Sequence, residues 1–507
     1  CLLVQAKYLG LDALVLQVIE HHLGNLERRN YAQIAKELGS NVEEIYDVEV
    51  PVGVITHPAG SLRKLADYID EARRSGGERP TFSAVHGRGA KEARASDLGL
   101  EKFLDAGTLE RAAHLPAPST AAPKTVLVTG ANGYLGRFLC LEWLERVAPV
   151  GGKVVCIVRG ADAAEARRRI DEAIGTVDAD LARHFASLAA SHLEVLAGDL
   201  SERHLGLDHD SWLRLAETVD VIVHPAALVN HVLPYAQLFG PNVVGTAELI
   251  RLALTWKKKR FVNVSTVAVA FTSDGRRLGE SEDVRSACPV RSLADAGYAS
   301  GYATSKWAGE VLLREAHERF DLPVSTFRSD MILAHRKYRG QLNVPDMFTR
   351  LMFSLVQSGV APRSFYPSAE GAPKPHYDGL PVDFTAAAIV SLGEQVQRGY
   401  ETYHVVNPHD DGVSMDEFVD WIAAAGHRMQ RVDDYADWLG RFETALRLLP
   451  EKQRQQSFLP LLHQLSRPMS AHAGAMVSAE RFHAAVRRLG AGSDRDIPHL
   501  SADTVRK

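Results

Sequence analysis

From residue 124 onward, short apolar runs alternate with longer segments of helical periodicity. The runs are rich in Val and Ile and are continuous, which is typical of strands that are covered on both faces. Strands that alternate with helices in this way predict an α/β fold, a doubly wound parallel sheet of the Rossmann type. The predicted strands are Thr125–Thr129, Lys153–Val158, Leu193–Ala197, Val219–His224, Arg260–Ser265, Val324–Arg328 and Tyr403–Val406.

After about residue 410 the pattern is mainly helical, with predicted helices at Met415–Ala424, Tyr435–Leu449 and Glu480–Leu489. We expect these helices and an insertion around 333–378 to form a smaller substrate subdomain that closes one side of a cleft. Residues 115–123 are rich in Pro and small residues, as linkers often are. The expected organisation is a small helical module over 1–76, a linker over 77–123 and a main domain over 124–507. Its Rossmann core is expected at about 124–330 plus 380–408.

Composition narrows the class of protein. The 507 residues are 46% hydrophobic and 24% charged with a net charge of −5, which gives no general reason to bind nucleic acid. The chain has no apolar run long enough for a membrane span, and none of its four cysteines has metal-ligand spacing. We therefore expect a cytoplasmic protein with reduced thiols and no metal site.

A glycine-rich turn connects the first strand of the main domain to a helical pattern. Gly130 suits a tight turn, Gly133 lets the backbone approach a phosphate, and Gly136 permits close packing of helix on strand. This order of strand, turn and helix indicates a dinucleotide site. The turn also supplies the other expected contacts, which are Asn132, Tyr134, Leu135 and Arg137.

The second strand indicates which cofactor is used. An NAD site normally has a carboxylate near the end of this strand, whereas this chain has Arg159, which suits the 2′-phosphate of NADPH, with Arg137 assisting. Asp199 and Leu200 follow the third strand, where a carboxylate can accept a hydrogen bond from adenine. Small residues after the fourth strand, Ala226 and Ala227, permit close approach of the cofactor.

The predicted catalytic residues follow the fifth strand and lie on a later helix. Ser265 and Thr266 end the strand, and the Thr266 hydroxyl can donate a hydrogen bond to a substrate carbonyl as negative charge develops. Tyr302 and Lys306 are one helical turn apart on one face. Tyr302 is the expected proton donor, and Lys306 is expected to lower its pKa and to hold the nicotinamide ribose.

Longer segments resemble the extended short-chain dehydrogenases and, more closely, the thioester reductase domain of bacterial carboxylic acid reductases. The segments that carry this resemblance are 226–235, 240–246, 301–310, 341–350, 379–384 and 407–412. The resemblance implies that residues 124–507 reduce an acyl thioester, held on the phosphopantetheine arm of a carrier, to an aldehyde with NADPH. It also implies that Asp330 gates the nicotinamide pocket, and that an adenylation domain precedes the carrier in the parent enzyme. An alternative from the residues alone is another extended short-chain enzyme, such as a sugar-nucleotide epimerase or an alcohol dehydrogenase.

The front of the chain departs from this pattern. Residues 44–55 resemble the end of a carrier domain, but no intact phosphopantetheine attachment motif precedes them. Residues 1–45 are instead similar to the core-binding region of the bacterial nitrogen-regulatory sigma factor, which suggests a chimera. The alternatives for this segment are a binding module for RNA polymerase and a helical segment with only a packing role.

Overall fold

The computed structural model describes residues 80–175, 177–294, 299–367, 374–410 and 412–503. The expectations about the carrier remnant and the sigma-factor-like segment concern residues 1–76 and lie outside the described residues. The strands are β1 (Glu92–Arg94), β2 (Thr125–Thr129), β3 (Lys153–Val158), β4 (Leu193–Ala197), β5 (Val221–His224), β6 (Arg260–Thr266), β7 (Val290–Ser292), β8 (Val324–Ser329), β9 (Ile332–Leu333), β10 (Val360–Pro362), β11 (Leu380–Pro381), β12 (Tyr400–Val405) and β13 (Gln430–Val432).

The α-helices of the same residues precede, connect and follow these strands. They are α1 (Phe82–His86), α2 (Ala106–Ala112), α3 (Tyr134–Val147), α4 (Ala163–Ile174), α5 (Ala179–His192), α6 (His209–Thr218), α7 (Tyr235–Leu238), α8 (Gly245–Ala253), α9 (Val284–Ala287), α10 (Ser300–Phe320), α11 (Met347–Ser358), α12 (Val382–Gln395), α13 (Met415–Ala424), α14 (Tyr435–Arg447), α15 (Glu451–Gln456) and α16 (Glu480–Leu489). A π-helical stretch, Phe239–Val244, joins α7 to α8. Among the described residues, none of the helices combines the length and the apolar character that crossing a membrane requires.

A central sheet of seven parallel strands organises the fold. Its spatial order is β12-β8-β6-β5-β2-β3-β4, so the order reverses between β2 and β5. Ligands in open α/β sheets bind at this reversal, beyond the carboxyl ends of the strands. The predicted doubly wound fold is confirmed, and β2, β3 and β4 have the predicted bounds.

The described residues contain two hydrophobic cores. The larger core surrounds the central sheet, whereas the smaller one includes Leu355, Phe365, Phe418 and Trp438 from the insertion and the C-terminal helices. Helix α16 departs from the expected subdomain, because Phe482 and its neighbours belong to the larger core.

The predicted linker over 77–123 is too long. Residues 80–112 contain α1, β1 and α2, and β1 pairs with β7 in an antiparallel ribbon. Leu100 is fully buried, and Phe103 is 4% exposed. The Pro-rich stretch after α2 contains no helix or strand and is exposed at most positions, but the chain before it is part of the folded body. The sequence pattern concealed this because short, irregular elements carry little periodicity.

Candidate active site

The glycine turn after β2 has the geometry that a dinucleotide requires. Gly130 has φ +61°, and a Cβ atom at this position would lie 2.9 Å from Cα of Ala226. A Cβ at Gly136 would lie 2.0 Å from the carbonyl oxygen of Gly130, so helix α3 packs against the turn only because no side chain intervenes. Helix α3 has Gly133 at its N-cap and no side-chain cap, so no capping side chain occupies its first backbone NH groups, which are suited to bind an anion. In the same segment, the Asn132 side chain is exposed and the Leu135 side chain is buried.

Tyr134 and Arg137 connect the turn to neighbouring elements. The Tyr134 hydroxyl shares its single proton between the carbonyl oxygens of Leu333 and Gln341, both at 2.9 Å. The Arg137 guanidinium donates to the carbonyl oxygen of Ala173 at 2.7 Å and lies 4.9 Å from the centre of the Tyr134 ring. Arg137 therefore packs against the end of α4, and its expected contact with a 2′-phosphate stays a prediction.

Three further predicted cofactor contacts lie at the ends of β3 and β4. Arg159 directly follows β3, and its carbonyl oxygen accepts a hydrogen bond from Arg169 at 3.1 Å. The Asp199 carboxylate accepts hydrogen bonds from the backbone and the hydroxyl of Ser201, at 2.9 and 2.7 Å. Leu200 packs against Gly245, where a Cβ would be 3.2 Å from its side chain.

The end of β5 contributes the wall opposite the glycine turn. The backbone NH of Ala226 faces the Thr129 hydroxyl at 3.4 Å, and Ala227 follows it. His224, at the last position of β5, has its ring nitrogens 2.9 Å from the Thr129 hydroxyl and 3.2 Å from that of Thr246. Burial and the nearby Lys306 ammonium lower the His224 pKa, so this ring is a neutral structural link.

Helix α10 carries Tyr302 and Lys306 on one face, beside the end of β6. The Tyr302 ring lies 5.8 Å from that of His231, and Lys306 is 6% exposed. Burial raises the Tyr302 pKa to about 12. Burial lowers the Lys306 pKa to about 8, against the raising effect of Glu310. The buried phenol therefore stays protonated at neutral pH, as a proton donor must, and the expected lowering of its pKa by Lys306 stays a prediction.

The two hydroxyls at the end of β6 have different partners. Thr266 is the N-cap of a short 3₁₀ turn, where its hydroxyl accepts from the backbone NH of Ala268 at 3.3 Å. The hydroxyl proton of Thr266 remains available for a carbonyl oxygen. Ser265, in contrast, donates to the Glu310 carboxylate at 2.5 Å. Ser265 was predicted as a cofactor contact, but its side chain is engaged with α10.

Sequence reasoning missed the residues behind this strand end. Glu310 receives a forked hydrogen bond from Arg328 on β8, the shortest contact being 2.7 Å, and both side chains are 1% exposed. Asn242 donates to the Ser305 hydroxyl at 2.9 Å and so holds the π-helical stretch against α10. The available signal was the spacing of α10, because residues 302, 306 and 310 share one face.

Asp330 lies between β8 and β9, among acidic and aromatic groups. Its backbone NH faces the carbonyl oxygen of Val405 at 3.4 Å. Burial, reinforced by Asp378, raises the Asp330 pKa to about 7. Burial likewise raises the pKa of Asp346 to about 6, and it raises the pKa of the Tyr377 phenol. The carboxyl is thus poised between its two protonation states near neutral pH.

The structure supplies no cluster of metal-ligating side chains within the residues it describes. The glycine cradle, the open first turn of α3 and the closely packed Ala226 instead fit a dinucleotide. These features lie at the reversal point of the sheet, where β6 ends at Thr266 and Lys306 lies near His224 at the end of β5.

Comparison with known proteins agrees with this geometry. Residues 128–389 match the NAD-binding family described as "Male sterility protein". The chain is 56% identical to a carboxylic acid reductase of Segniliparus rugosus over 92% of its length, and 54% identical to one of Mycobacterium tuberculosis over 93%. It spans 39% and 41% of those two proteins, so it matches about two fifths of each.

Solved structures give the same result. The crystal structure of the reductase domain of a nonribosomal peptide synthetase from Mycobacterium tuberculosis shares 51% identity at a TM-score of 0.75. That match covers 82% of this chain and 97% of the domain. The terminal reductase domain of the myxalamid pathway is 29% identical at a TM-score of 0.64, over 81% of this chain and 95% of that domain. The chain therefore belongs to the NAD-binding family whose model it matches, a family of NAD(P)-binding oxidoreductases. Its relatives there include carboxylic acid reductases and the reductase domains of nonribosomal peptide synthetases.

Proposed function

We propose that the chain reduces an acyl thioester on the phosphopantetheine arm of a carrier to an aldehyde, using NADPH. The observation that carries this proposal is the face of α10 with Tyr302 and Lys306, on a helix whose Glu310 bonds to Ser265, next to Thr266 at the end of β6. The resemblance to carboxylic acid reductases implies an adenylation domain that supplies the activated acyl group in the parent enzyme, and this chain matches about two fifths of two such reductases.

NADPH is proposed over NADH because of the chemistry at the end of β3. The side chain that follows the strand is the cation Arg159, where a carboxylate would hold the 2′-hydroxyl of NADH. A guanidinium binds a phosphate through charge-assisted, paired hydrogen bonds. Asp199 remains suited to the adenine, because Ser201 orients its carboxylate.

The catalytic roles follow from the positions of the three side chains. NADPH supplies the hydride for the thioester carbonyl when it is bound. Thr266 and Tyr302 donate hydrogen bonds to the carbonyl oxygen, and Tyr302 supplies the proton as that oxygen becomes negative. The ammonium of Lys306 holds the cofactor ribose and stabilises charge on the phenol. Collapse of the hemithioacetal breaks the carbon–sulfur bond, so one thioester, one NADPH and one proton give one aldehyde, one thiol and NADP⁺.

Asp330 is proposed to gate the nicotinamide pocket. It lies at the junction of β8 and β9, beside the second core that forms the predicted substrate subdomain. Its pKa of about 7 gives this half-buried carboxyl both charge states near neutral pH, so Asp330 can set the polarity beside the pocket. In this role Asp330 discourages a second reduction, that of the aldehyde to an alcohol.

The preference for NADPH is tested by kinetics with S-acyl pantetheine as the probe substrate. The wild type is expected to oxidise NADPH with stoichiometric formation of aldehyde and to use NADH poorly. Arg159→Ala should raise KM for NADPH by about 10-fold or more, the value of one charged hydrogen bond to phosphate, and leave the KM for NADH nearly unchanged. Equal use of both cofactors by the wild type would refute the assignment of Arg159.

A further inference from the structure

A buried polar network lies directly behind the end of β6. Ser265 donates to Glu310 at 2.5 Å, and Arg328 donates to both oxygens of the same carboxylate. The other side of Arg328 faces Nε2 of His404 on β12 at 3.2 Å. Nδ1 of His404 donates to the carbonyl oxygen of Ser478 at 2.7 Å. The network thus joins α10 to β6, β8 and β12, three neighbouring strands of the central sheet.

Stability alone does not explain such a network. The Glu310 and Arg328 side chains are each 1% exposed, and removing two charges from water costs much of what their attraction returns. Apolar side chains of similar size often serve a fold as well or better. His404 is neutral, because burial and the neighbouring Arg328 lower its pKa to about 4. Arg328 is therefore the one cation that directly contacts Glu310 among the described residues.

The position of Glu310 connects the network to the proposed catalytic side chains. It lies one helical turn after Lys306, and its bond to Ser265 fixes the residue just before Thr266. The proposed catalysis depends on the positive charge of Lys306. Charged or titratable groups from more than one element lie near this side chain. These groups are Tyr302 and Glu310 on α10 and His224 on β5, while Arg328 on β8 acts through its contact with Glu310. Glu310 is the anion among them and favours the charged form of Lys306.

We propose that Glu310 is a positioning residue that fixes the Ser265–Thr266 end of β6 against α10 and supplies the negative charge facing Lys306. This inference deepens the proposed function, on which it rests. Arg328 holds the carboxylate in place and thereby defines where Thr266 and Lys306 lie relative to each other. Loss of the Glu310 charge destabilises the ammonium form of Lys306, so activity and cofactor binding fall at a lower pH.

The test uses Glu310→Gln in the full chain. Two measurements are made across pH 6 to 10: kcat/KM for S-acyl pantetheine and the dissociation constant of NADP⁺ by calorimetry. Both should weaken as Lys306 loses its proton, with a midpoint near its pKa of about 8 in the wild type. In Glu310→Gln both midpoints should move down by about one pH unit or more, as expected for removal of a nearby opposite charge.

Matched variants separate positioning from general destabilisation. Glu318→Gln removes a carboxylate from the same helix where its side chain is 52% exposed and pairs with Arg285, and it should leave both midpoints unchanged. Glu310→Asp keeps the charge and should restore the midpoints partly. The double variant Glu310→Gln, Arg328→Met removes both charges and is expected to fold even if the single variant does not, while keeping the lowered midpoint.

Two results would overturn the inference. One is a folded Glu310→Gln protein with wild-type midpoints in both profiles. The other is a double variant that recovers the wild-type midpoints, because the effect would then come from an unbalanced Arg328. A wild type that binds NADP⁺ but reduces no thioester would refute the proposed function instead, while the NADP⁺ titration would still report on Lys306.

Discussion

Burial is the main cause of the shifted pKa values of the individual residues in this site. Tyr302 stays protonated because desolvation raises the pKa of its phenol, and desolvation also makes Lys306 easier to deprotonate. Asp330 is a third example, since its pKa of about 7 comes first from burial and then from Asp378. Composition and spacing predicted a set of candidate side chains, but they contain no information about desolvation.

The raised pKa of Asp330 predicts a specific dependence of stability on pH. The folded protein holds this proton more tightly than the unfolded chain, whose carboxyl has a pKa near 3.8. The resulting stabilisation is fully present below about pH 4 and is lost as the pH rises through about 7. Asp330→Asn should therefore raise the unfolding temperature relative to wild type more at pH 8 than at pH 5.

The control for Asp330→Asn is the same substitution at an exposed aspartate. Asp433→Asn replaces a carboxylate that is 89% exposed and lies 3.6 Å from Arg363. Its effect on unfolding should be small and nearly the same at both pH values. An Asp330→Asn protein whose gain in stability did not grow between pH 5 and pH 8 would contradict the burial of the carboxyl.

Among the elements, the glycine turn was the most accurately predicted feature. Strand β2 has the predicted bounds, and Gly130 and Gly136 occupy the tight turn and the close contact that the spacing indicated. The roles of Arg137 and Ser265 were harder to predict. Their partners, the end of α4 and Glu310, are distant in sequence, and local patterns contain no record of such contacts.

The turn predicts a contrast between two helical glycines. Gly136→Ala would place Cβ 2.0 Å from a backbone oxygen, so the turn or α3 must shift, at a cost of about 1–3 kcal/mol in the free energy of unfolding. Cofactor affinity should fall as well, because the same turn faces the phosphates. Chemical unfolding and NADP⁺ calorimetry measure the two effects.

Gly440, within α14, is the matched control. A Cβ there would meet nothing within 4 Å. Gly440→Ala should stabilise the protein by up to about 1 kcal/mol, since alanine favours a helix. If Gly136→Ala were as well tolerated as Gly440→Ala, the close packing of α3 on the turn would be refuted.

In the whole molecule, the folded body extends further upstream than the sequence indicated. Residues 80–112 pack on the larger core through short elements, and His86 on α1 contacts the hydroxyl of Tyr235 on α7 at 3.1 Å. Helix α7 in turn approaches α10, because a Cβ at Gly301 would lie 2.8 Å from the backbone nitrogen of Tyr235. The chain that leads into the domain therefore supports the helix that carries Tyr302.

Leu100 provides a direct measure of this upstream packing. Leu100→Ala removes a fully buried side chain and should lower the free energy of unfolding by about 2–5 kcal/mol. Leu448→Ala removes an equal side chain that is 80% exposed and should change it by less than about 0.5 kcal/mol. Similar, small effects of both substitutions would contradict the packing of Leu100 in the core and would favour a simple linker over residues 77–123.

The most direct measurement follows NADPH oxidation and aldehyde formation from S-acyl pantetheine with the wild type, Tyr302→Phe and Tyr435→Phe. Tyr435→Phe removes a hydroxyl from α14, where it faces the carbonyl oxygen of Arg467 at 3.4 Å, and should keep wild-type activity. Tyr302→Phe should bind NADPH normally and lose about 100-fold or more in kcat, the usual contribution of a positioned proton donor. Aldehyde formation at wild-type rate by Tyr302→Phe, or none by the wild type, would contradict thioester reduction at this site.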